Sequence, residues 1–361
     1  MSSTDMSPTG GKQEVTSSKT LYCVDMGTTN CRVFLTEGSR VWARVEAGFG
    51  VRDSGRGKPA NYLHERLEAL IAEASQMARA AGLTTVPTYA VGAGMLTSRQ
   101  GLLEIPHLAA PVGEEDLARH MQCYAPRLLG QIQLILVPGV RTGSLSADIA
   151  TTLRSDVMRG EETLVAGLLA TGRIAANGAL LNLGSHWKWI WVDENRRIAR
   201  SRTALTGELI HVTQSNTLLA SALPKDKPAL LHEEWLERGG REAHESGLSR
   251  ALFCVRLLEQ AGQGTAEERL SFLYGAFLEM ELLTLRQNES LREVESICLT
   301  GPPALAGAWK QRLEQMDKKV QIIQEADRDQ AYLEGLSRLF SLAKQQGLLP
   351  AFAQAASART R

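Results

Sequence analysis

One pattern of strand, glycine turn and strand occurs twice in this chain, and that repeat limits the fold more than any other feature. Leu21-Tyr22-Cys23-Val24-Asp25 is a short apolar run, broken at Gly27-Thr28-Thr29-Asn30. It resumes as Arg32-Val33-Phe34-Leu35 and, after Gly38-Ser39, as Val41-Trp42-Ala43-Arg44-Val45. Apolar runs separated by turn residues predict a three-stranded meander. The second half restarts with Ala179-Leu180-Leu181-Asn182-Leu183, turns at Gly184-Ser185-His186, and continues through Trp189-Ile190-Trp191-Val192 and, past Asp193-Glu194-Asn195, Arg197-Ile198-Ala199. A shift of 157 residues lays Gly27-Thr28 on Gly184-Ser185 without a gap, Val33 on Ile190, Leu35 on Val192 and Val41 on Ile198.

Two such units align fairly often by chance, so the helices after each meander weigh as much as the glycines. Asn61 to Ala81 places Leu63, Leu67, Leu70, Ile71, Ala74, Met77 and Ala78 on one helical face. Residues 86–91 and 131–137 read as strands, and a helix from near Gly160 buries Leu164, Val165, Leu168 and Leu169. The second half answers with a helix from Glu267 to Arg286, strand 296–299, a helix from about Ala304 to Met316, strand 320–323 and an amphipathic helix from Asp327 to about Gln345. A repeat of this size predicts two like domains, 20–175 and 176–348, with a cleft between them. Tails at 1–19 and 349–361 flank them, and the polar first tail reads as disordered.

Composition narrows the function. The 361 residues carry 40 Lys+Arg and 40 Asp+Glu, without the basic excess of a general nucleic-acid or membrane-surface binder. No apolar run approaches the ~18 residues of a membrane span, and the first residues lack the apolar core of a signal peptide. Five cysteines, Cys23, Cys31, Cys123, Cys254 and Cys298, show no C-x-x-C spacing, so they read as reduced thiols of a cytoplasmic protein.

The chemistry gathers at three places. Asp25-Met26-Gly27-Thr28-Thr29-Asn30 sits on the first hairpin, where Gly27 admits a ligand to the backbone and N–H groups with Thr hydroxyls form an anion cradle. A carboxylate beside such a cradle repels phosphate unless a cation lies between, which makes Asp25 a natural ligand of Mg²⁺-bound water. A plain polar β-hairpin explains the same residues, but the second turn, Gly184-Ser185-His186, favours a polyphosphate gripped from both sides. Gly55-Arg56-Gly57-Lys58 is no Walker A, because Arg52 and Pro59 stand where Gly and Ser/Thr are required. Met158-Arg159-Gly160-Glu161-Glu162-Thr163 opens a helix; its two acids suit the macrodipole, and either of them facing the cleft is a candidate general base.

The hairpin Val24-Asp25-Met26-Gly27-Thr28-Thr29-Asn30-Cys31-Arg32 resembles the first phosphate motif of the actin, hexokinase and heat-shock-chaperone superfamily. Met158 to Thr163, Gly184-Ser185-His186-Trp187-Lys188-Trp189 and Leu205-Thr206-Gly207-Glu208-Leu209 resemble the 2-dehydro-3-deoxygalactonokinase family. Gly48-Phe49-Gly50-Val51-Arg52-Asp53, Gly94-Met95-Leu96-Thr97-Ser98 and Ile105-Pro106-His107-Leu108 resemble it too, and the likeness runs from about Thr20 to Gln345. Departures are Met26 where many relatives carry Trp, Leu183 and Ser185 where Pro and Thr are common, and Pro302-Pro303 in the adenosine turn.

The resemblance implies an α/β fold of two duplicated actin-like (ribonuclease H-like) domains. Each is a mixed five-stranded sheet flanked by helices, with an ATP cleft between the two. It implies ATP-dependent phosphorylation of the C6 hydroxyl of a 2-keto-3-deoxy sugar acid, with Mg²⁺. Glu161 would be the base and Glu162 its fallback. Asp25, Gly27, Thr28, Thr29, Asn30 and Arg32 would hold the nucleotide from one side, with Asp25 toward the metal. Gly184, Ser185 and His186 would hold it from the other, and Gly301-Pro302 at the adenosine. Gly94, Met95, Thr97 and Lys188 would meet the sugar acid.

A sugar acid needs a cationic anchor. Arg52 ranks ahead of Arg99 and Lys188, although each also reads as an ordinary surface charge. His107 reads first as a loop or core histidine, and His186 equally as a turn residue or a ligand. Trp187, Trp189 and Trp191 alternate along a strand and predict core packing or a domain interface. Two readings remain beside a sugar-acid kinase: a nucleotide-binding regulatory protein on this fold, and a kinase for another sugar. The partners are then ATP and a small sugar acid, and a homodimer is the assembly considered.

Overall fold

The structure, a computed structural model, describes residues 20–54, 58–288 and 291–348. The tails at 1–19 and 349–361, and Gly55 to Gly57 of the Walker-like run, lie outside the described residues.

The first meander forms as its pattern requires. β1 (Thr20–Met26), β2 (Cys31–Glu37) and β3 (Arg40–Ala47) pair antiparallel, and α1 (Val51–Ser54) and α2 (Tyr62–Ala80) follow. Val24, Met26, Val33 and Leu35 share one face with Leu67 and Ile71 of α2, whereas Cys23 and Phe34 face the other way. Met77, placed by periodicity on the buried face of α2, is exposed. β4 (Tyr89–Gly94) then pairs parallel with β1. It begins three residues later than the expected strand at 86–91, because Pro87 offers no N–H to a ladder.

The chain next makes β5 (Leu108–Ala109), α3 (Glu114–Arg119), β6 (Gln122–Cys123) and β7 (Gln133–Leu136). β8 (Val140–Thr142), α4 (Ile149–Thr152), β9 (Asp156–Met158) and α5 (Glu161–Ala170) complete the first half. The expected five-stranded sheet is corrected here. It has six strands in the order β3-β2-β1-β4-β7-β6, and β5, β8 and β9 form a separate three-stranded sheet. These added strands are two or three residues long, too short for any alternation to announce them.

The second half comprises β10 (Ala179–Leu183), β11 (Trp187–Val192), β12 (Ile198–Ala204), α6 (Thr206–Asn216), α7 (Glu233–Ser246), α8 (Leu248–Gln260) and α9 (Ala266–Gln287), then β13 (Ser296–Thr300), α10 (Pro303–Glu314), β14 (Lys319–Ile323) and α11 (Glu325–Gln345). Its sheet runs β12-β11-β10-β13-β14, with the same mix of antiparallel and parallel pairs as β3-β2-β1-β4-β7. The gapless overlay fails in the middle strand. Val24 pairs with Val33, and its counterpart Leu181 pairs with Trp189 rather than Ile190. The second hairpin turn is one residue shorter, and the following turn one residue longer, so Val41 and Ile198 fall back into step. A slip of one residue exchanges the faces of a strand. Val33 therefore answers to Trp189, and Leu35 to Trp191.

That register puts Trp187, Trp189 and Trp191 into the core under α9 and α10. Trp309 of α10 meets Trp187 and Trp189 edge-on, with ring centroids 5.7 and 5.9 Å apart. The tryptophans pack a core, as their alternation predicts. Between the two sheets lies another core, where Phe34 and Ile190 meet Leu168 of α5 and Leu336 of α11. The two helices cross with glycine against backbone: a Cβ on Gly167 would stand 1.7 Å from the Ala331 oxygen, and one on Gly335 2.1 Å from the Thr163 oxygen. The crossing is symmetric, Thr163 and Gly167 answering to Ala331 and Gly335.

Candidate active site

The two glycine turns are built alike. Gly27 N–H donates to the Asn30 oxygen at 2.8 Å and closes the first, leaving Thr28, Thr29 and Asn30 exposed. The helix start behind it packs close enough that a Cβ on Gly50 would meet Thr28 backbone at 2.4 Å, and Arg52 N–H donates to the Thr28 oxygen. In the second turn Gly184, Ser185 and His186 are exposed, and Glu208 N–H donates to the Ser185 oxygen at 2.7 Å. A Cβ on Gly207 would stand 2.3 Å from the Gly184 oxygen. The Gly48–Asp53 and Leu205–Leu209 segments thus back the two turns. His186 pairs at the surface with Glu208, 3.1 Å away.

The strand beside each turn runs into a glycine of positive φ. Gly94 (φ +83°) lies against the Met26 oxygen, and Gly301 (φ +143°) against Leu183, at distances that exclude any side chain. Met95 is half-buried and Thr97 fully buried. Gly301 and Pro302 are half-buried at the head of α10.

Asp25 faces Arg32 across the hairpin, with 2.5 Å between carboxylate and guanidinium. Arg32 also reaches Asp329 of α11 at 3.0 Å, and Asp329 receives Arg44 and Arg328 as well. Burial works against the Arg32 charge, but Asp25 and Asp329 outweigh it and raise its pKa. The buried phenol of Tyr332 has no hydrogen-bond partner among the described residues; burial, then Asp25 and Glu162, raises its pKa. No group of three or more His, Cys, Asp and Glu side chains placed to hold a metal stands among the described residues. Mg²⁺ retained mostly by water and phosphate needs only one or two carboxylates. Asp25, a fifth exposed with its second oxygen toward Gly94, fits that need.

The two acids that open α5 differ. Gly160 (φ +102°) turns the chain into the helix. Glu162 is fully buried, and both of its oxygens accept from Gly160 N–H at 2.8 Å. Burial, then Glu161, pushes the Glu162 carboxyl up to about 7, against the opposing pull of Gly160 N–H and Lys188. Glu161 stays partly open and lies 3.4 Å from Lys188 Nζ. Lys188 is buried on β11 and donates to the Val157 oxygen of β9 at 2.9 Å, so a cation of the second half reaches the first.

Arg52, ranked first as the anchor, lies on α1 with an exposed side chain. Another cation, Arg159, was not offered by the sequence as an anchor. Arg159 donates to Thr97 Oγ1 at 2.6 Å and to the Ile105 oxygen at 2.8 Å, and lies 3.4 Å from His107 Nδ1. Burial, then Arg159, Arg141 and Lys188, lowers the His107 pKa to about 4. Arg159 adjoins the Gly160-Glu161 motif, and that adjacency was the available signal. Asp329 carried none, being one acid of a charged helix.

Two like mixed sheets, each with an exposed glycine turn at its head and a connecting helix crossing its counterpart between them, define the actin-like ATPase architecture within the α/β class. The sequence profile of the 2-keto-3-deoxy-galactonokinase family matches residues 25–339, and the chain belongs to that family. It is a kinase. It is 26% identical over 294 residues to the 2-dehydro-3-deoxygalactonokinase of Escherichia coli (strain K12), an alignment covering 81% of this chain and 89% of that one. The crystal structure of a candidate 2-dehydro-3-deoxygalactonokinase from Sinorhizobium meliloti superposes with a TM-score of 0.69 at 22% identity, over 91% of this chain and all of that one. This second likeness bears on the fold.

Proposed function

We propose that the chain transfers the γ-phosphoryl group of ATP to the C6 hydroxyl of 2-dehydro-3-deoxy-D-galactonate, in the catabolism of sugar acids. The observation that carries this reading is Glu161: a partly open carboxylate at the turn into α5, held at 3.4 Å by a buried lysine of the other half. Family membership supplies the substrate class.

The halves 20–175 and 176–348 act as two lobes about the nucleotide. Gly27, Thr28, Thr29 and Asn30 offer N–H and hydroxyl donors to the phosphates from one side, and Gly184 and Ser185 from the other. Gly301 and Pro302 border the adenosine. Asp25 would hold Mg²⁺ through water, and the ion when bound neutralises charge on the phosphate oxygens. Glu161 takes the proton of the attacking hydroxyl, with Lys188 fixing its position. Phosphoryl transfer depends mainly on positioning and charge neutralisation, so a general base adds roughly 10²–10⁴-fold. Glu162 faces its own helix start and keeps the Gly160 turn in place. No described helix is long and apolar enough to cross a membrane.

ADP release with Mg-ATP, measured over a panel of 2-keto-3-deoxy acids and neutral sugars, tests the reading, with phosphorus and carbon NMR of the product to locate the phosphate. Turnover of the galactonate derivative with phosphate on C6 is the expected result. ATP binding without turnover of any compound would instead make the chain a nucleotide-binding regulator.

A further inference from the structure

At the small sheet that no sequence pattern announces stand two cations without an ion-pair partner among the described residues. β5 and β9 pair on either side of β8, with Ala109 and Val157 opposite Arg141. His107 leads into β5, and Arg159 follows β9. Gly139 is the joint that lets them meet: a Cβ there would stand 2.7 Å from Arg159 Cγ and 2.8 Å from His107 Cδ2.

Arg159 is half-buried, and its three neighbours Thr97, Ile105 and His107 are all uncharged acceptors. Glu162 and Glu104 act on it only from beyond ion-pair distance. Arg141 is also half-buried, makes no side-chain hydrogen bond or ion pair among the described residues, and lies close enough to His107 to act on it. With its pKa near 4, His107 is uncharged at neutral pH and adds no third positive charge. Lys188 acts on the same histidine, but its ammonium is already matched by Glu161. A partly desolvated guanidinium without an anion is costly. Two of them around one neutral histidine form a place where an anion is stabilised, and the planar fork of arginine suits a carboxylate.

We propose that Arg141 and Arg159, beside His107, bind the carboxylate of the sugar-acid substrate. The inference rests on the sugar-acid kinase reading and makes it specific. Carboxylate and C6 hydroxyl occupy opposite ends of a six-carbon chain, so the anchor must stand apart from the base. Lys188 lies between the two, touching Glu161 and acting on His107. This subsite replaces Arg52 as the anchor and assigns recognition to the part of the first half that the second half does not repeat.

The test compares 2-dehydro-3-deoxygalactonate with its C1 carboxamide, in the wild type, Arg141→Gln, Arg159→Lys and Arg159→Gln. Arg141→Gln removes no bond of the fold, so it remains informative if the Arg159 variants fold poorly. It is expected to raise KM for the acid roughly 10-fold or more, with the loss in KM rather than kcat and with KM for ATP unmoved. The preference for acid over amide should shrink by the same factor. If the wild type phosphorylates the acid and every variant keeps the full preference, the subsite is overturned while the kinase reading stands. If the wild type phosphorylates only neutral sugars, both fall. If it phosphorylates none of these compounds, calorimetric titration with the acid alone decides: binding that Arg141→Gln abolishes supports the subsite, and no binding overturns it.

Discussion

Glu161 on α5 reaches Lys188 on β11, and Asp329 on α11 reaches Arg32 on β2. Each is an acid near the start of one half's last helix, paired with a cation on the second strand of the other half. The symmetric crossing of Gly167 and Gly335 places the two acids at matching positions, and the register places Arg32 opposite Asp25 just as Lys188 stands opposite Asn182. The environments then diverge. Asp329 is surrounded by Arg32, Arg44 and Arg328 and is only 13% exposed. Glu161 has one lysine and is 22% exposed. A carboxylate held by three guanidinium groups is fixed in place, whereas one with a single partner keeps an open side, which suits the base proposed at Glu161. The two positions are equivalent in the fold and differ in their neighbours, and under the proposed function they differ in task.

Exchanging the charges tests that division most strongly. Glu161→Gln should lower kcat by about 10² or more, with ATP affinity kept. Asp329→Asn should lower it only about tenfold and also raise KM for ATP, because it releases Arg32 and with it Asp25. Steady-state kinetics on both substrates reads the difference, and equal losses in kcat would end the asymmetry.

The crossing itself should be sensitive from either side. Gly167→Ala and Gly335→Ala each force a methyl into opposing backbone and should cost about 3 kcal/mol. Gly307→Ala, at an α10 site where a Cβ meets nothing within 4 Å, should instead stabilise by roughly 0.5–1 kcal/mol. Urea midpoints measure all three, and an indifferent Gly335→Ala would mean that the crossing is tight on one side only.

The residue after each acid sharpens the comparison through pH. Glu162 is buried where its counterpart Gln330 is exposed. Its pKa rises from an ordinary 4.5 to about 7 on folding, so between these values the folded chain binds more protons than the unfolded one. Stability from this group is therefore complete below about pH 4.5 and declines as pH rises to about 7, by about 3 kcal/mol. Glu162→Gln, which gives α5 the residue of α11, should remove that decline. Denaturation midpoints across pH 4.5–7.5 that run parallel in the two proteins would show that Glu162 does not titrate in this window.

Much of the scaffold was legible because long apolar periodicities are local. β1 to β3, β10 to β12, α2, α5, α9 and α11 follow from alternation and helical spacing, and the glycine turns from composition. The middle-strand register was hidden, since two one-residue differences in neighbouring turns cancel and leave a gapless overlay looking correct. The small sheet was hidden because two or three residues carry no period. Asp329, Arg141 and the Arg159–His107 contact were hidden because charged residues on helices and short strands have many equivalent local explanations.

From the sequence alone follow a repeated strand–glycine–strand unit, a polar glycine turn in each copy, and a helix opened by two candidate acids. Those are properties of neighbouring residues, set by backbone sterics and apolar periodicity. Tertiary packing alone sets the two acids apart in burial and partners, with Glu162 buried against Gly160 and Glu161 open beside Lys188, and it alone brings Arg141 and Arg159 toward His107. Desolvation and charge pairing depend on groups apart in the chain: His107 meets Arg159 only when the small sheet of the first half forms, and Glu161 meets Lys188 only when the halves pack together.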